Sequence, residues 1–325
     1  MLGNFKKAIF RVLCLGALGL LGGGGLMAEP TPEELFDLGV KSSEAKDFTQ
    51  AKKYFEKACN LNYGGGCGAL GDLYDDGKGV EKNLIKAAQL YTKACELKEG
   101  LGCKRLWSLY YYGRGVEKNL IKAAQLYTKA CELKEGLGCK RLWSLYYYGR
   151  GVEKNLIKAA QYASKACVLN NGSGCGALGF LYGTGKGVEK NLIKAAYLYS
   201  KACDLNNGGG CGNLGVLYQK GEGVEKDLTK AAYLYSKACE LKEGLGCKDL
   251  GTLYYNGEGV EKNLIKAAYF YSKACELKES FGCGALAALY INGQGVEKNL
   301  TKADQYISKA CKLGDQEACE ALKEK

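Results

Sequence analysis

Sixteen of the 17 cysteines in this chain fall into eight pairs, each with seven residues between its members. The pairs are Cys59 and Cys67, Cys95 and Cys103, Cys131 and Cys139, Cys167 and Cys175, Cys203 and Cys211, Cys239 and Cys247, Cys275 and Cys283, and Cys311 and Cys319. The seventeenth, Cys14, stands alone near the N-terminus. Paired thiols can hold a metal, shuttle electrons or close disulfides. The chain has no histidine, which removes a Ser-His-Asp triad, a Cys-His pair and every histidine-ligated zinc site. Zinc sites place about two to four residues between cysteines, so a metal is not expected, and nothing calls for a cofactor. An even number of cysteines at fixed spacing reads as a disulfide framework formed in an oxidising compartment. A redox role would need exposed, strained pairs, and the sequence gives no sign of them.

The elements that carry these cysteines repeat. Gly79–Arg114 is followed at once by an identical copy, Gly115–Arg150, and weaker copies run on without insertion or deletion. The first cysteine of each pair recurs every 36 residues. A fixed period of this size is the signature of a solenoid, in which each unit packs only on its neighbours. Each full unit has two expected helices. Helix A runs roughly Gly66–Asp76 in one unit and Gly102–Tyr112 in the next, and a G-x-G turn such as Gly77-Lys78-Gly79 closes it. Helix B opens on an Asn or Asp cap (Asn83, Asn119, Asn155, Asn191, Asp227, Asn263, Asn299). It carries the apolar stripe Leu84, Ala87, Ala88, Tyr91, Ala94 and Cys95 of a half-buried helix. Thr31-Pro32-Glu33-Glu34 reads as a capping box that starts a first unit four residues shorter than the rest.

Lys6, Lys7 and Arg11 precede the apolar run Val12–Leu21, and Met27-Ala28 offers a cleavage point, so residues 1–28 are expected to be a signal peptide. Its removal takes away Cys14 and lowers the net charge from +11 to +8. The protein is expected to be secreted, extracellular or periplasmic, a monomer without stable membrane insertion, and not a nucleic-acid binder. Its lysines read as a solvated helix face.

The pattern A-L-G-x-L-Y-x-x-G-x-G-V-x-K-[ND]-L-x-K-A-x-x-x-Y-x-K-A-C resembles the Sel1-like repeat, a relative of the tetratricopeptide repeat. The added C-x7-C pairs and the N-terminal segment are similar to the Helicobacter cysteine-rich proteins, a secreted family labelled as β-lactamases. The resemblance implies an all-α fold, a right-handed α/α solenoid with a concave groove, and a disulfide within every C-x7-C pair, tying the end of one helix B to the start of the next helix A. It divides the chain into a signal peptide (1–28), a short tetratricopeptide-like first repeat (29–61), seven 36-residue repeats (62–313) and a C-terminal capping helix (314–325). The Gly-rich segment Glu96–Gly102 and its equivalents are expected to bend to suit the bond.

In tetratricopeptide-like arrays helix A lines the groove, so its changing positions become the candidate ligand-binding set. These are Lys104, Arg105, Ser108, Tyr111 and Tyr112, repeated as Lys140, Arg141, Ser144, Tyr147 and Tyr148. Later units add Phe180, Asn213, Val216, Gln219, Asp249, Thr252, Tyr255, Asn256 and Asn292. Asn213 resembles the asparagine that holds a peptide backbone in tetratricopeptide clamps, a task that suits an amide's donor and acceptor. One tyrosine per unit (Tyr74, Tyr110, Tyr146) is expected in the core. The runs Tyr110–Tyr112 and Tyr146–Tyr148 exceed what a core needs, and exposed Tyr beside Arg and Lys makes a good contact surface. Trp107 and Trp143 replace the Gly71, Gly179, Gly215 and Gly251 of other units, and are expected to push the helices apart or turn outward.

The β-lactamase label asks for S-x-x-K with S-D-N and K-T-G elements. Only Ser43-Glu44-Ala45-Lys46 matches the first, and the other two are absent. Gly183-Thr184-Gly185-Lys186-Gly187 looks like a phosphate loop but lacks the Ser or Thr after Lys and occupies an ordinary G-x-G turn. No catalytic residue is therefore assigned. The primary reading is a disulfide-stapled solenoid that binds a peptide, a peptidoglycan fragment or a host protein in its groove; weak β-lactam hydrolysis, with its link to antibiotic resistance, is the alternative.

Overall fold

Each A helix packs on its own B helix, and each B helix packs in turn on the A helix that follows it. The computed structural model describes residues 29–323; the expected signal peptide and Cys14 lie outside them. Seventeen helices and no strand occur among the described residues. The A helices are α1 (Pro32–Glu44), α3 (Gly64–Asp76), α5 (Gly100–Tyr112), α7 (Gly136–Tyr148), α9 (Gly172–Thr184), α11 (Gly208–Lys220), α13 (Gly244–Asn256) and α15 (Ser280–Asn292). The B helices are α2 (Phe48–Asn60), α4 (Leu84–Glu96), α6 (Leu120–Glu132), α8 (Leu156–Val168), α10 (Leu192–Asp204), α12 (Leu228–Glu240), α14 (Leu264–Glu276) and α16 (Leu300–Lys312). A short α17 (Gln316–Lys323) packs on α16. Successive A helices also meet each other, as α3 does α5 and α9 does α7 and α11, while no pair of B helices makes a comparable contact. The A helices therefore line the inner side of the curve.

Local chemistry sets the helix ends. Thr31 and Glu34 form the reciprocal capping box, and the Asn83 side chain accepts from the Lys86 N–H, as its equivalents do along the chain. Gly77 takes φ 74° to end α3, and Gly79 takes φ 66°. A Cβ on Gly79 would sit 2.6 Å from the Phe48 backbone, so this glycine also lets the turn rest on the preceding B helix. The first unit is shorter because three residues, 45–47, join α1 to α2 where seven, 77–83, join α3 to α4.

The core runs through the stack as linked clusters of B-helix alanines with A-helix leucines, such as Ala87, Ala88, Leu70 and Leu73. All sixteen described cysteines are bonded in the eight local pairs, from Cys59–Cys67 to Cys311–Cys319, with Cα separations of 4.4 to 4.7 Å. Each bond crosses from the end of a B helix to the next helix, so every junction is stapled. The turn under seven of the eight bonds departs from the glycine expectation. Its left-handed residue is Asn62, Lys98, Lys134, Asn170, Asn206, Lys242 or Lys278, and only under Cys311–Cys319 is it a glycine, Gly314. The amides of Lys98 and Glu99 close back on the carbonyls of Cys95 and Ala94, a Schellman arrangement whose bonds offset the cost of a side chain at positive φ. The glycines serve the next helix instead. A Cβ on Gly102 would lie 2.5 Å from the Cβ of Ala94, so the small residue permits the close approach that the disulfide needs.

The tyrosine expectation also shifts. The deeply buried tyrosine of most units is on helix B (Tyr91, Tyr127, Tyr199, Tyr235 and Tyr271), packed against the A-helix glycine except for Tyr127, which meets Trp107. Tyr74 is buried, but Tyr110 and Tyr146 are half-buried. Each ring of that series carries a lysine ammonium over its face: Lys86 and Lys122 stand 4.5 Å from the centroids of Tyr74 and Tyr110, and Lys158 stands 5.4 Å from that of Tyr146. The tryptophans do not turn outward. Trp107 is 7% exposed and stacks on Tyr127 with centroids 4.3 Å apart. Trp143 is accommodated differently, because the tyrosine it would meet is Ala163, against which it packs. The last full unit makes a similar exchange, with Ala287 and Ile307 in place of Gly and Tyr. The indole N–H groups of both tryptophans are buried without a hydrogen-bond partner.

Candidate binding groove

The inner face is built from positions one, two, five, eight and nine residues after the second cysteine of each pair, because the leucines between them point into the core. At the second of these positions the units carry Ala69, Arg105, Arg141, Ala177, Asn213, Asp249 and Ala285. The neighbouring Leu70, Leu106, Leu142, Leu178, Leu214, Leu250 and Leu286 do not change.

The N-terminal part of this face is tied by ion pairs between units. Arg105 contacts both oxygens of Asp72, at 3.0 and 3.3 Å, and Asp72 also accepts from the buried Tyr91 hydroxyl at 2.7 Å. Arg114 reaches Asp75 at 2.8 Å. Burial, with the Asp72 bond second, holds the Tyr91 phenol well above its ordinary value. Burial alone pushes Tyr199 up to about 12.

The aromatic runs form two clusters, one in each of the duplicated units. Tyr111 lies between Trp107 and Tyr112, 4.9 Å from each, with Tyr112 edge-on and exposed. Tyr147 touches Trp143, Tyr148 and Phe180, and its hydroxyl accepts from Lys186 at 3.2 Å. Exposed Tyr148 carries Arg150 over its ring. Lys140 is half-buried, and desolvation, with Arg141 second, lowers its pKa. Ser108 and Ser144 sit half-buried along the same line.

Further along, the predicted residues divide. Asn213 is exposed with no side-chain hydrogen bond, and Tyr255 is exposed near Lys262. Gln219 and Thr252 instead face the core, bonded to the hydroxyls of Tyr235 (2.7 Å) and Tyr271 (3.2 Å). Asp249 pairs with Lys248 at 2.8 Å.

Two concavities lie end to end in the N-terminal half. One of about 260 Å³ is mainly apolar, with Phe36, Tyr63, Ala69 and Leu101 around a floor of Gly65 and Gly68. The other, about 170 Å³, is lined by Lys104, Arg105, Trp107, Ser108, Arg114 and Arg141, with Asp75. Arg105 borders both. Sequence reasoning missed Arg114, Arg150 and Lys186. Their signal was the middle residue of the G-x-G turn, basic in these units but Glu222, Glu258 and Gln294 in later ones.

The S-x-x-K match has no catalytic geometry. Ser43 lies in the last turn of α1, Lys46 is exposed at φ 62° in the following turn, and no hydrogen bond joins their side chains. No helix among the described residues is long and apolar enough to cross a membrane.

Sequence comparison matches the Sel1 repeat at residues 36–63, 66–99, 100–135, 136–171, 173–207, 210–243, 245–279 and 280–315. HcpC of Helicobacter pylori strain J99 is 65% identical over 86 residues, 26% of this chain and 29% of that protein. The beta-lactamase HcpA of the same strain is 57% identical over 86 residues, 26% of this chain and 33% of that protein. The chain thus spans a third or less of the curated relatives it matches. Among solved structures, c5321, a protective antigen of uropathogenic Escherichia coli displaying an SLR fold, superposes with a TM-score of 0.77 at 29% identity, covering 88% of this chain and 62% of that one.

Proposed function

The chain belongs to the Sel1 repeat family, and from that premise we propose that it is a secreted scaffold that binds an extended segment of another protein along its concave A-helix face. Sel1 repeats typically mediate protein–protein interaction, and the many disulfides fit an oxidising, extracytoplasmic setting. The observation that carries the reading is the contrast within helix A. Core leucines and the Gly-x-Gly turn stay fixed from unit to unit, while the adjoining inward positions change in charge, size and polarity. A solenoid needs only the first set to stack; the second set is free to be shaped by a partner. Exposed Asn213, Tyr112, Tyr148 and Tyr255 lack roles in the core and supply amide and phenol groups of the kind that anchor interfaces. A cell-wall peptide or a host protein could present such a segment equally well.

Panning a random-peptide display library on the immobilised protein tests this. Selected peptides should lose about tenfold or more in affinity when Asn213 or the pair Tyr111 and Tyr147 is changed to Ala, with the far-UV spectrum unchanged. Selected peptides indifferent to every inner-face change would overturn the reading. β-Lactam hydrolysis rests on the name of HcpA. Many-turnover hydrolysis of a chromogenic cephalosporin that is abolished by Ser43→Ala would put that reading first.

A further inference from the structure

We propose that the concavity between α3, α5 and α7 is a carboxylate subsite that reads an acidic side chain of the bound peptide. The inference rests on the groove reading above and names the chemistry of its ligand. Lys104, Arg105, Arg114 and Arg141 line the space, against the single carboxylate of Asp75. Two of these cations are already neutralised: Arg114 by Asp75, and Arg105 by Asp72. Those pairs hold the two guanidinium groups in place. Arg141 has no carboxylate partner; its guanidinium stands 5.8 Å from the Trp107 ring centroid. Lys104 makes no ion pair either. The site therefore keeps two uncompensated positive charges beside an aromatic wall, and an anion would complete it.

The choice of residue sharpens the point. The chain holds 41 lysines and only five arginines. All four arginines among the described residues fall between residues 105 and 150, on α5, α7 and the turns that follow them. Elsewhere among the described residues the positive charges are all lysines. A planar fork is needed where a carboxylate must be gripped by two parallel N–H groups. The volume of about 170 Å³ admits a carboxylate head. The apolar concavity that shares Arg105 gives an adjoining seat for a bulky side chain. The expected ligand is thus an extended peptide carrying an acidic residue close to a large apolar one.

Fluorescence anisotropy with a fluorescein-labelled, C-terminally amidated peptide of alternating Glu and Tyr tests the proposal, beside an amidated Gln/Tyr peptide and a Gln/Tyr peptide with a free C-terminus. The Glu peptide should bind about tenfold or more tightly than amidated Gln/Tyr, and added salt should weaken it. Arg141→Ala should remove about that factor and Arg141→Lys should recover only part of it. Circular dichroism checks that the variants fold. Equal binding of the Glu and amidated Gln peptides, or a preference only for the free C-terminus, would overturn the side-chain subsite. If Arg141→Ala leaves Glu-peptide binding unchanged while Asn213→Ala weakens it, the groove reading stands and the subsite falls. If no peptide binds, the subsite falls as well.

Discussion

Removing one junction staple should cost several kcal/mol, and the structure supports a worked figure. In the double variant Cys95→Ala/Cys103→Ala the lost bond had closed a loop of nine residues, because the partners are eight apart. The chain-entropy relation gives about 2.5 kcal/mol for such a loop. Both sulfurs are buried, Cys103 fully and Cys95 at 3% exposure, so deleting them adds about 1 kcal/mol each in lost burial. The total is about 4 to 5 kcal/mol. Urea denaturation followed by far-UV dichroism should show a midpoint about 1 to 1.5 M lower, taking a slope of about 3 kcal/mol/M or slightly more for an array of this size. Cutting a central junction should also divide the stack, because each unit is held only by its neighbours. A second transition, or protease cleavage within residues 97–99, is therefore expected. A midpoint lowered by less than about 0.3 M, close to 1 kcal/mol on the same slope, would refute the reasoning.

Two more outcomes follow from the packing. Gly71→Ala places a Cβ 2.6 Å from the ring of buried Tyr91, which the Asp72 bond holds in place. Overpacking of about 1 to 3 kcal/mol should outweigh the roughly 1 kcal/mol gained in helix propensity, lowering the melting temperature. Adding Tyr91→Ile, after the natural pair Ala287 and Ile307, should restore most of it; no rescue would sink the volume-exchange account. Alkali should destabilise the fold through the helix-B tyrosines. Tyr91, Tyr127, Tyr199, Tyr235 and Tyr271 all have folded-state pKa values raised by burial. Their contribution is fully present below the unfolded value of about 10 and is lost as pH rises through the folded values. Urea midpoints measured across that range should fall, and a flat profile would contradict the burial.

Most of the architecture could be read from the chain because its determinants are local. Helix caps such as Thr31 and Asn83 bond three residues ahead, and the apolar stripe of helix B recurs within two turns. The disulfides join residues eight apart across each junction, a local pairing that the family resemblance already implied. Other readings failed where a distant residue decided the outcome. Whether an indole fits at position 107 or 143 depends on Tyr127 or Ala163, twenty positions later on another helix. The glycines of Glu96–Gly102 look like hinge residues in sequence, but Gly102 is fixed by the Cβ of Ala94 across the junction.

The groove shows the same division. Sequence alone determined which helix-A positions vary and that several carry Arg, Tyr or Asn. Only the stacked structure decided which of these act together. It spent Gln219 and Thr252 on core hydroxyls, left Asn213 free, and brought Arg105 to Asp72 across 33 residues and Arg114 to Asp75 across 39. The reason is geometric: the offset of one repeat brings residues a full period apart side by side. A groove side chain's neighbours are therefore chosen by the superhelix and not by the residues beside it in the chain.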